Sequence, residues 1–279
     1  MPMKKKSVIF TDLDGTLLDH YTYKTDAAEE TLAILKSQHI PVVLNSSKTQ
    51  QEMLLIREQL ELDSPFIIEN GAAIYIPVGY FEAQPQDTEL ENDFWVKSFC
   101  QPKEYWLSLL SEHAMAYRND FQGFSQLTNA QLAELTGLTI DKAEMAKQRQ
   151  YGEPLNWLGT EQSKADFIDL MSSLGATILQ GGRFLHVSGQ CDKGLAQKWL
   201  TEQYQREEPQ KQIITIALGD SNNDSAMLEE ATIAIQIHSP VHAFPRLNRK
   251  HQVYQSRLDG PAGWAESLHD VLLSSLTNE

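Results

Sequence analysis

The sequence predicts an α/β fold with a Rossmann-like, doubly wound parallel-sheet core and an inserted α+β block. Short apolar runs rich in β-favouring residues alternate with helical patterns at the beginning of the chain. The same alternation returns near the end, and a polar, aromatic stretch with a different rhythm lies between the two parts. We therefore expect core segments at residues 1–83 and 189–279 and an inserted domain at residues 84–188.

The first core segment is predicted to contain three strands and two helices. A D-x-x-E pattern at Asp26 and a T-x-x-E pattern at Thr49 mark the starts of the helices. Pro41 and Pro65 interrupt the helical patterns before the next strands begin. The predicted elements are a strand at 8–10, a helix ending near 38, a strand at 42–44, a helix through 54–60 and a strand at 66–68.

The inserted block is predicted to mix helices with a hairpin. A T-x-x-Q box at Thr128 opens a helix that Gly137 can end, and Gly181-Gly182 predicts a hairpin turn. Its other predicted elements are helices at 141–148 and 161–174 and extended segments at 151–158, 177–179 and 184–187. The closing core segment is predicted to contain a helix at 192–204, a strand at 213–218, a helix ending near 231, a strand at 233–237 and a helix at 263–276.

The composition restricts the partners and compartments that fit this chain. The net charge of −15 disfavours binding to nucleic acids or to anionic membranes, which both need a basic surface. Cys100 and Cys191 are the only cysteines, which excludes a disulfide framework and favours a cytoplasmic protein. We expect neither a signal peptide nor a membrane span, because no apolar run is long enough. The expected assembly is a monomer or a small homo-oligomer.

Two carboxylates follow the first predicted strand. Asp12 and Asp14 are two residues apart, so extended backbone would point both the same way at the end of the strand, where open α/β sheets place their chemistry. Two such charges at ~4 Å repel by about 4 kcal/mol at an effective dielectric near 20. A bound Mg²⁺ would remove this repulsion, so a magnesium site is predicted here. The alternative is a solvated acidic turn at Gly15.

Polar residues follow other predicted strands in the same way. Ser46 follows the second strand, and Asp220, Asn223 and Asp224 follow a later one in the sequence Gly-Asp-Ser-Asn-Asn-Asp. Lys193 comes just after the inserted block. Taken singly, the serine and the aspartates are typical caps and the lysine is a typical solvated helix residue. Because the carboxyl ends of parallel strands share one edge of a sheet, we expect these side chains to converge.

Together, the four motifs resemble those of the haloacid dehalogenase (HAD)-type phosphatase superfamily. The resemblance is carried, in chain order, by DLDGT at 12–16, the strand-end Ser46, DKG at 192–194 and GDSNND at 219–224. It covers residues 7–83 and 189–279. It therefore implies a HAD-like core for this chain.

The resemblance also implies a role for each of these residues. Asp12 would be a nucleophile that forms an aspartyl-phosphate, and Asp14 would act as general acid and then as general base. Ser46 and Lys193 would bind phosphate oxygens. The implied Mg²⁺ site comprises Asp12, the main-chain carbonyl of Asp14, Asp220, Asn223 and Asp224.

The position of the insertion resembles that of the large α+β cap of some superfamily members, and ENGA at 69–72 precedes it as in those members. Such a cap excludes water and reads the leaving group, so substrate choice is expected to lie there. Two stretches, RQYGEP at 149–154 and GGRFLH at 181–186, resemble the cap signatures of mannosyl-3-phosphoglycerate phosphatases.

Four cap residues are candidates for substrate binding on this basis. Arg183 offers a planar fork for a carboxylate, and Glu153 can accept hydrogen bonds from sugar hydroxyls. Arg149 belongs to the first of the two stretches, and His186 would share a strand face with Arg183. The alternatives are surface roles for the two arginines, a strand start at Glu153 and a structural role for His186.

The resemblance thus predicts a Mg²⁺-dependent phosphomonoester hydrolase whose substrate is a small phosphorylated sugar or sugar acid. The family that it resembles most is that of the mannosyl-3-phosphoglycerate phosphatases, whose products are mannosylglycerate and phosphate. The enzyme alternatives are another phosphosugar phosphatase, of the glucosyl-3-phosphoglycerate or sucrose phosphate type, and a phosphomutase. A non-catalytic phospholigand-binding protein is the remaining alternative. The presence of Asp12, Asp14, Lys193 and Asp220 disfavours it, because a binder needs neither a nucleophile nor an acid.

Overall fold

The structure is a computed structural model and describes residues 3–181 and 183–273. The chain divides into two compact units. The first unit comprises the chain up to Ser46, Leu62–Lys97 and the chain from Asp192, and the second comprises Ser47–Glu61 and Ser98–Cys191.

The strands and helices are numbered along the chain. The strands are β1 Lys4–Thr11, β2 Val42–Asn45, β3 Phe66–Ile68, β4 Ala73–Pro77, β5 Glu89–Glu91, β6 Phe94–Ser98, β7 Phe121–Gly123, β8 Gly152–Trp157, β9 Thr177–Gly181, β10 Phe184–Ser188, β11 Lys211–Gly219, β12 Ile233–His238 and β13 Val253–Asp259. The helices are α1 Glu29–Ser37, α2 Gln50–Gln59, α3 Lys103–His113, α4 Asn129–Thr136, α5 Ile140–Lys147, α6 Glu161–Ser173, α7 Lys193–Glu207, α8 Ser225–Glu230 and α9 Gly260–Leu268.

A nine-stranded sheet forms the centre of the first unit, in the order β13-β12-β11-β1-β2-β3-β4-β6-β5. The six strands from β13 to β3 are parallel to their neighbours. Val8, Ile9 and Phe10 of β1 are all fully buried, which is typical of a parallel strand covered on both faces. The predicted α/β fold with a parallel-sheet core is confirmed.

The sheet is wider than the sequence predicts. Strands β4, β5, β6 and β13 have no counterpart among the predicted elements. β13 lies at one edge and exposes most of its residues, so it lacks the apolar run that marks a buried strand. Because β6 and β5 continue this sheet at its other edge, residues 84–97 belong to the first unit and not to the inserted block.

Three helices of the closing segment pack on the parallel strands. Helices α7 and α8 pack against each other and against β11, and α9 packs against β12 and β13. α9 continues into a π-helical turn at His269–Leu273. The last residues of the predicted helix at 263–276 lie outside the described residues.

The second unit contains a four-stranded antiparallel sheet in the order β7-β8-β10-β9. One core cluster joins Trp106 of α3 and Phe167 of α6 to Leu155, Leu185 and Val187 of the sheet. A smaller cluster joins residues of α4 and α5 to Phe124 and Phe184.

The second unit contains two predicted capping boxes, one of them at Thr49, which was predicted to belong to the first core segment. The capping boxes at Thr49 and Thr128 are both formed, and Gly137 ends α4 with φ +80°. The predicted turn at Gly181-Gly182 includes Gly182, which lies outside the described residues. None of the described helices combines the length and the apolar character that crossing a bilayer requires.

Candidate active site

Asp12 lies directly after β1 and is almost completely buried. Its N–H donates to the carbonyl oxygen of Leu218 at 2.9 Å, which extends the β1–β11 hydrogen bonding by one residue. The chain then turns sharply, and Gly15 donates its N–H to the carbonyl oxygen of Leu18 at 2.8 Å. Gly15 has φ +80°, a conformation that strongly favours glycine. The predicted turn therefore holds Asp12 at the carboxyl end of the central strand.

The ammonium group of Lys193 joins two buried carboxylates. Its Nζ lies 2.5 Å from Oδ1 of Asp12 and 2.6 Å from Oδ1 of Asp224, and all three side chains are buried. Lys193 is the first residue of α7, and the side chain of Asp192 caps this helix by accepting from the N–H of Leu195 at 2.8 Å. The prediction that these motifs converge holds for Asp12, Lys193 and Asp224.

The loop after β11 is folded around the carboxylate of Asp224. Oδ2 of Asp224 accepts hydrogen bonds from the N–H groups of Asp220 and Ser221, each at 3.1 Å. The backbone comes so close that a Cβ on Gly219 would lie 2.5 Å from that of Asp224. A Cβ on Gly15 would lie 2.6 Å from Oδ2 of Asp220. The two glycines thus allow the loop and the β1 turn to meet at the acidic residues.

The buried charges perturb one another strongly. Burial and the neighbouring Asp224 together raise the pKa of Asp12 to about 8, although Lys193 opposes both effects. Burial alone would lower the pKa of Lys193, but Asp12 and Asp224 raise it above its ordinary value. Burial and Asp224 also raise the pKa of Asp220. One ammonium group therefore does not fully compensate the three carboxylates.

The three carboxylates could hold a divalent cation. Oxygen atoms of Asp12, Asp220 and Asp224 all lie within 4.8 Å of one another, and all three residues are buried. Hard oxygen donors are the ligands that Mg²⁺ prefers, and a cation would relieve the carboxylate repulsion that raises the pKa values. The donor set therefore fits the predicted metal.

Three of the predicted site residues lie around this cluster. Asp14 is part-exposed and is not among the three clustered carboxylates. Ser46 is buried after β2 and donates its N–H to the carbonyl of Ile67 at 3.1 Å. Asn223 is exposed and accepts a hydrogen bond from the hydroxyl of Ser221.

The ENGA turn connects the motifs of the first unit. Asn70 donates its N–H to the carbonyl of Ser46 at 2.9 Å and accepts from the side-chain amide of Asn223 at 3.4 Å. Gly71 has φ +93°, and a Cβ there would lie 2.1 Å from the carbonyl oxygen of Asp192. This turn therefore contacts the serine, the lysine and the aspartate motifs.

Three further residues that were not predicted interact with Asp220 through a hydrogen bond or through charge. The hydroxyl of Thr16 donates to Oδ1 of Asp220 at 3.4 Å. Ser239 and His242 each lower the pKa of Asp220, against the stronger effects of burial and Asp224. Both residues follow the carboxyl end of β12, so the signal that identified Asp12 and Asp220 also applied to this strand.

Comparison with known proteins agrees with this geometry. The sequence profile of the haloacid dehalogenase-like hydrolases matches residues 9–240, which include the β1 turn, Lys193 and the loop after β11. The chain belongs to the haloacid dehalogenase-like hydrolase family.

Two curated relatives of this hydrolase have the same descriptive name, glucosyl-3-phosphoglycerate/mannosyl-3-phosphoglycerate phosphatase. The protein from Methanococcoides burtonii is 34% identical over 267 residues, 96% of this chain and 97% of the relative. The protein from Persephonella marina is 34% identical over 275 residues, 95% of this chain and 97% of the relative. Among solved structures, BT1666 from Bacteroides thetaiotaomicron, studied among phosphatases of the HAD superfamily, matches with a TM-score of 0.65 and 17% identity over 95% of this chain and 94% of its own.

The second unit of this haloacid dehalogenase-like hydrolase holds the four predicted substrate residues. Arg149 donates to the carbonyl oxygen of Ser47 at 3.2 Å. Glu153 is buried and accepts a hydrogen bond from the N–H of Ser125 at 2.7 Å. Arg183 is exposed in the turn before β10, and its guanidinium group donates to the carbonyl of Thr136 at 3.4 Å.

His186 does not lie with Glu153. In the antiparallel register Glu153 is opposite Val187, and His186 is opposite Pro154. Because paired residues share a face and neighbours alternate, Glu153 lies on the face of Val187 and His186 lies on the other. The predicted shared strand face of Arg183 and His186 is wrong, because Arg183 precedes β10 and because residues three apart on a strand lie on opposite faces. Burial and the charge of Arg149 lower the pKa of His186 to about 3.

Proposed function

We propose that this hydrolase removes phosphate from glucosyl- or mannosyl-3-phosphoglycerate, releasing the glycosylglycerate and inorganic phosphate. The observation that carries the proposal is the buried Asp12–Lys193 pair beside Asp220 and Asp224. It provides a nucleophile with the counter-charge that an anionic phosphate requires. The names of the relatives that match nearly the whole chain support this class of substrate.

The first chemical step would transfer the phosphoryl group to Asp12. A carboxylate oxygen attacks phosphorus, the bond to the alcohol oxygen breaks, and Asp14 protonates that oxygen as it leaves. Lys193 would bind phosphate oxygens, because its buried positive charge already lies at the nucleophile. Ser46, buried after β2, would donate a further hydrogen bond to the phosphate.

The second step would return Asp12 to its free carboxylate. Asp14 takes a proton from water, and the resulting hydroxide attacks phosphorus and breaks the phosphorus–oxygen bond to Asp12. Inorganic phosphate leaves, and Asp14 again holds the proton that the next cycle needs. Asp14 is part-exposed, which is consistent with proton exchange with solvent between the two steps.

Mg²⁺ would be held by Asp12, the main-chain carbonyl of Asp14 and Asp220. When bound, it neutralises charge on the phosphate and on the carboxylates. We assign Asp224 mainly to support, because its two carboxylate oxygens already accept from Lys193 and from the N–H groups of Asp220 and Ser221. Asn223 would support this loop through its contacts with Ser221 and Asn70.

Recognition of the sugar-acid part is proposed for residues of the second unit. Arg183 is exposed and can offer a bidentate fork to the carboxylate of the glycerate. Arg149 and His186 are close enough for the arginine to lower the pKa of the histidine. The two side chains would therefore bind the same part of the substrate. For Glu153, the contact with Ser125 favours a structural role over a contact with the sugar.

The test is a substrate panel with purified protein. Release of phosphate from mannosyl-3-phosphoglycerate, glucosyl-3-phosphoglycerate, sucrose phosphate and p-nitrophenyl phosphate is measured with and without Mg²⁺. The proposal expects the two phosphoglycerates to give the highest kcat/KM, and the Asp12→Asn variant to be inactive while folding normally. Higher kcat/KM on sucrose phosphate would reject the substrate assignment, and substantial activity of Asp12→Asn would reject the nucleophile.

A further inference from the structure

A chain of hydrogen bonds leads from the last helix to the residue proposed as nucleophile. The indole N–H of Trp264 in α9 donates to the hydroxyl of Thr11 at 3.0 Å. The hydroxyl of Thr11 donates in turn to the main-chain carbonyl of Asp12 at 2.7 Å. Trp264 and Thr11 are fully buried, and Asp12 is 5% exposed. Nothing in the proposed chemistry explains why this carbonyl has a dedicated partner.

The direction of these bonds is fixed by the donor at the start. An indole N–H can only donate, so the hydroxyl of Thr11 must accept from it. The hydroxyl proton is then available for the carbonyl of Asp12. A buried tryptophan needs one hydrogen-bond partner, but that need alone does not require the second bond.

The carbonyl of Asp12 lies beyond the sheet. The β1–β11 and β1–β2 ladders both end at Thr11, although the N–H of Asp12 still donates to Leu218. The N–H side of Asp12 is therefore fixed by β11, and its carbonyl side is fixed by Thr11. Both peptide groups next to the nucleophile are held in place.

The helix is seated closely enough to maintain this contact. A Cβ on Gly263 would lie 2.1 Å from the carbonyl oxygen of Leu258 and 2.7 Å from the hydroxyl of Ser256. Glycine at this position therefore lets α9 approach the end of β13, next to Trp264. The indole therefore belongs to a helix that is packed closely on β12 and β13.

We propose that Thr11 and Trp264 are positioning residues that orient the carboxylate of Asp12 for attack on phosphorus. The inference rests on the proposed phosphatase activity. A nucleophile misplaced by about 1 Å can lose roughly 100-fold in rate, so a bond that fixes its backbone affects the chemical step more than substrate binding. Thr11 and Trp264 contact neither phosphate nor metal in this proposal.

Three variants separate positioning from packing. Thr11→Val has a similar shape but loses both hydrogen bonds, whereas Thr11→Ser keeps both. Trp264→Phe keeps only the bond from Thr11 to Asp12. The hydroxyl of Thr11 is then free to rotate, because it no longer accepts from the indole. The control is Thr215→Val. Thr215 lies in the middle of β11, the strand next to β1, and this change removes the hydroxyl that contacts Thr232.

Steady-state kinetics with p-nitrophenyl phosphate and Mg²⁺, together with thermal unfolding, decide the question. We expect kcat to fall by about 10-fold to 100-fold in Thr11→Val and by less in Trp264→Phe, with KM within about twofold of wild type. Thr11→Ser should restore most of kcat. Thr215→Val should lower the unfolding midpoint but leave kcat unchanged.

Several outcomes would overturn the inference. One is that Thr11→Val has the same kcat as Thr215→Val. Another is that Thr11→Ser loses as much kcat as Thr11→Val. If Thr11→Val does not fold, full kcat in Trp264→Phe would reject the proposal, and reduced kcat at unchanged KM would support it. A wild-type protein that hydrolyses no phosphomonoester would instead reject the proposed function, and the inference with it.

Discussion

The side-chain nitrogen of Lys193 lies 2.5 Å from Oδ1 of Asp12, and both groups are buried in the first unit. The same ammonium group also contacts Asp224, so one positive charge serves two carboxylates. Removing a buried partner leaves the remaining charges uncompensated, which is more costly than the pair itself is stabilising. The lysine is therefore important for stability as well as for the proposed chemistry.

Lys193→Met should separate these two roles. We expect turnover to fall by at least about 100-fold, because a donor that stabilises the transition state is lost. We also expect the unfolding midpoint to fall, and added Mg²⁺ to raise it more than in wild type, because the carboxylates then lack their cation. Calorimetry with and without Mg²⁺ measures this difference. The control is Lys6→Met, which removes a part-buried lysine of β1 that pairs with Glu208. An equal effect of Mg²⁺ on the unfolding midpoints of both variants would contradict the prediction.

Asp220→Asn should weaken metal binding with little change of shape. Asp220 is one of the three clustered carboxylates. The hydroxyl of Thr16 donates to Oδ1 of Asp220, and the asparagine side chain keeps this oxygen. We expect the Mg²⁺ concentration for half-maximal activity to rise by about 10-fold or more, since changes at a metal site commonly cost 10-fold to 100-fold in affinity. Direct titration of Mg²⁺ by calorimetry provides a second measurement. Asp259→Asn, at an exposed carboxylate paired with His238, should leave the titration unchanged.

Gly71→Ala should damage the fold and the site together. Gly71 and Gly79 both have positive φ, but a Cβ would meet Asp192 at 2.1 Å in the first and nothing within 4 Å in the second. Gly79→Ala should therefore cost about 1 kcal/mol of unfolding free energy from backbone strain alone. Gly71→Ala should cost clearly more and also reduce kcat, because Asp192 caps the helix that begins with Lys193. Equal losses in the two variants, measured by urea unfolding, would show that the close approach is unimportant.

The local parts of the site could be predicted from the sequence because their signals are local. An apolar strand followed by D-L-D-G determines where Asp12 lies, and the same reasoning placed Asp224 at the end of another parallel strand. Their meeting with Lys193 follows from parallel topology, which the strand–helix alternation predicts.

The remaining parts depend on contacts that no local pattern encodes. Trp264 and Thr11 are 253 residues apart, and periodicity identifies the buried face of a helix but not the partner of an indole N–H. The edge strand β13 exposes most of its residues and therefore has no apolar run. Ser239 and His242 follow the end of β12, at the start of a long segment without a strand or helix. Polar residues after a strand were therefore visible in the sequence, but no recognisable motif singled out these two.

Arg183→Ala tests recognition of the substrate carboxylate. Arg183 is exposed, its guanidinium group donates to a carbonyl oxygen at 3.4 Å and lies 5.6 Å from the ring centre of Phe184, and these weak surface contacts can be lost with the fold intact. A charge-assisted hydrogen bond contributes about 1.5–3 kcal/mol, so KM for mannosyl-3-phosphoglycerate should rise by about 10-fold to 100-fold. KM for p-nitrophenyl phosphate, which has no carboxylate, should not change. Arg118→Ala, at another exposed arginine of the second unit, should affect neither substrate, and equal losses on both substrates in Arg183→Ala would remove it from this role.

His186 should make the stability of the protein depend on pH. Its pKa in the folded protein is about 3, lowered by burial and then by Arg149, against an ordinary value of 6.5. Between these two values the unfolded chain binds a proton that the folded chain does not, so stability falls as the pH drops through this range. At pH 5 the loss relative to pH 7.5 should be about 2 kcal/mol, since each pKa unit corresponds to about 1.4 kcal/mol.

The measurement is urea unfolding of wild type and His186→Gln between pH 4 and 7.5. Glutamine cannot take up a proton, so the variant should lose less stability on acidification, and the difference between the two proteins should grow as the pH falls below about 6.5. His113→Gln, at an exposed histidine of the same unit, is the control and should follow wild type. Parallel pH profiles for wild type and His186→Gln would show that the imidazole is not held in its neutral form by the surrounding residues.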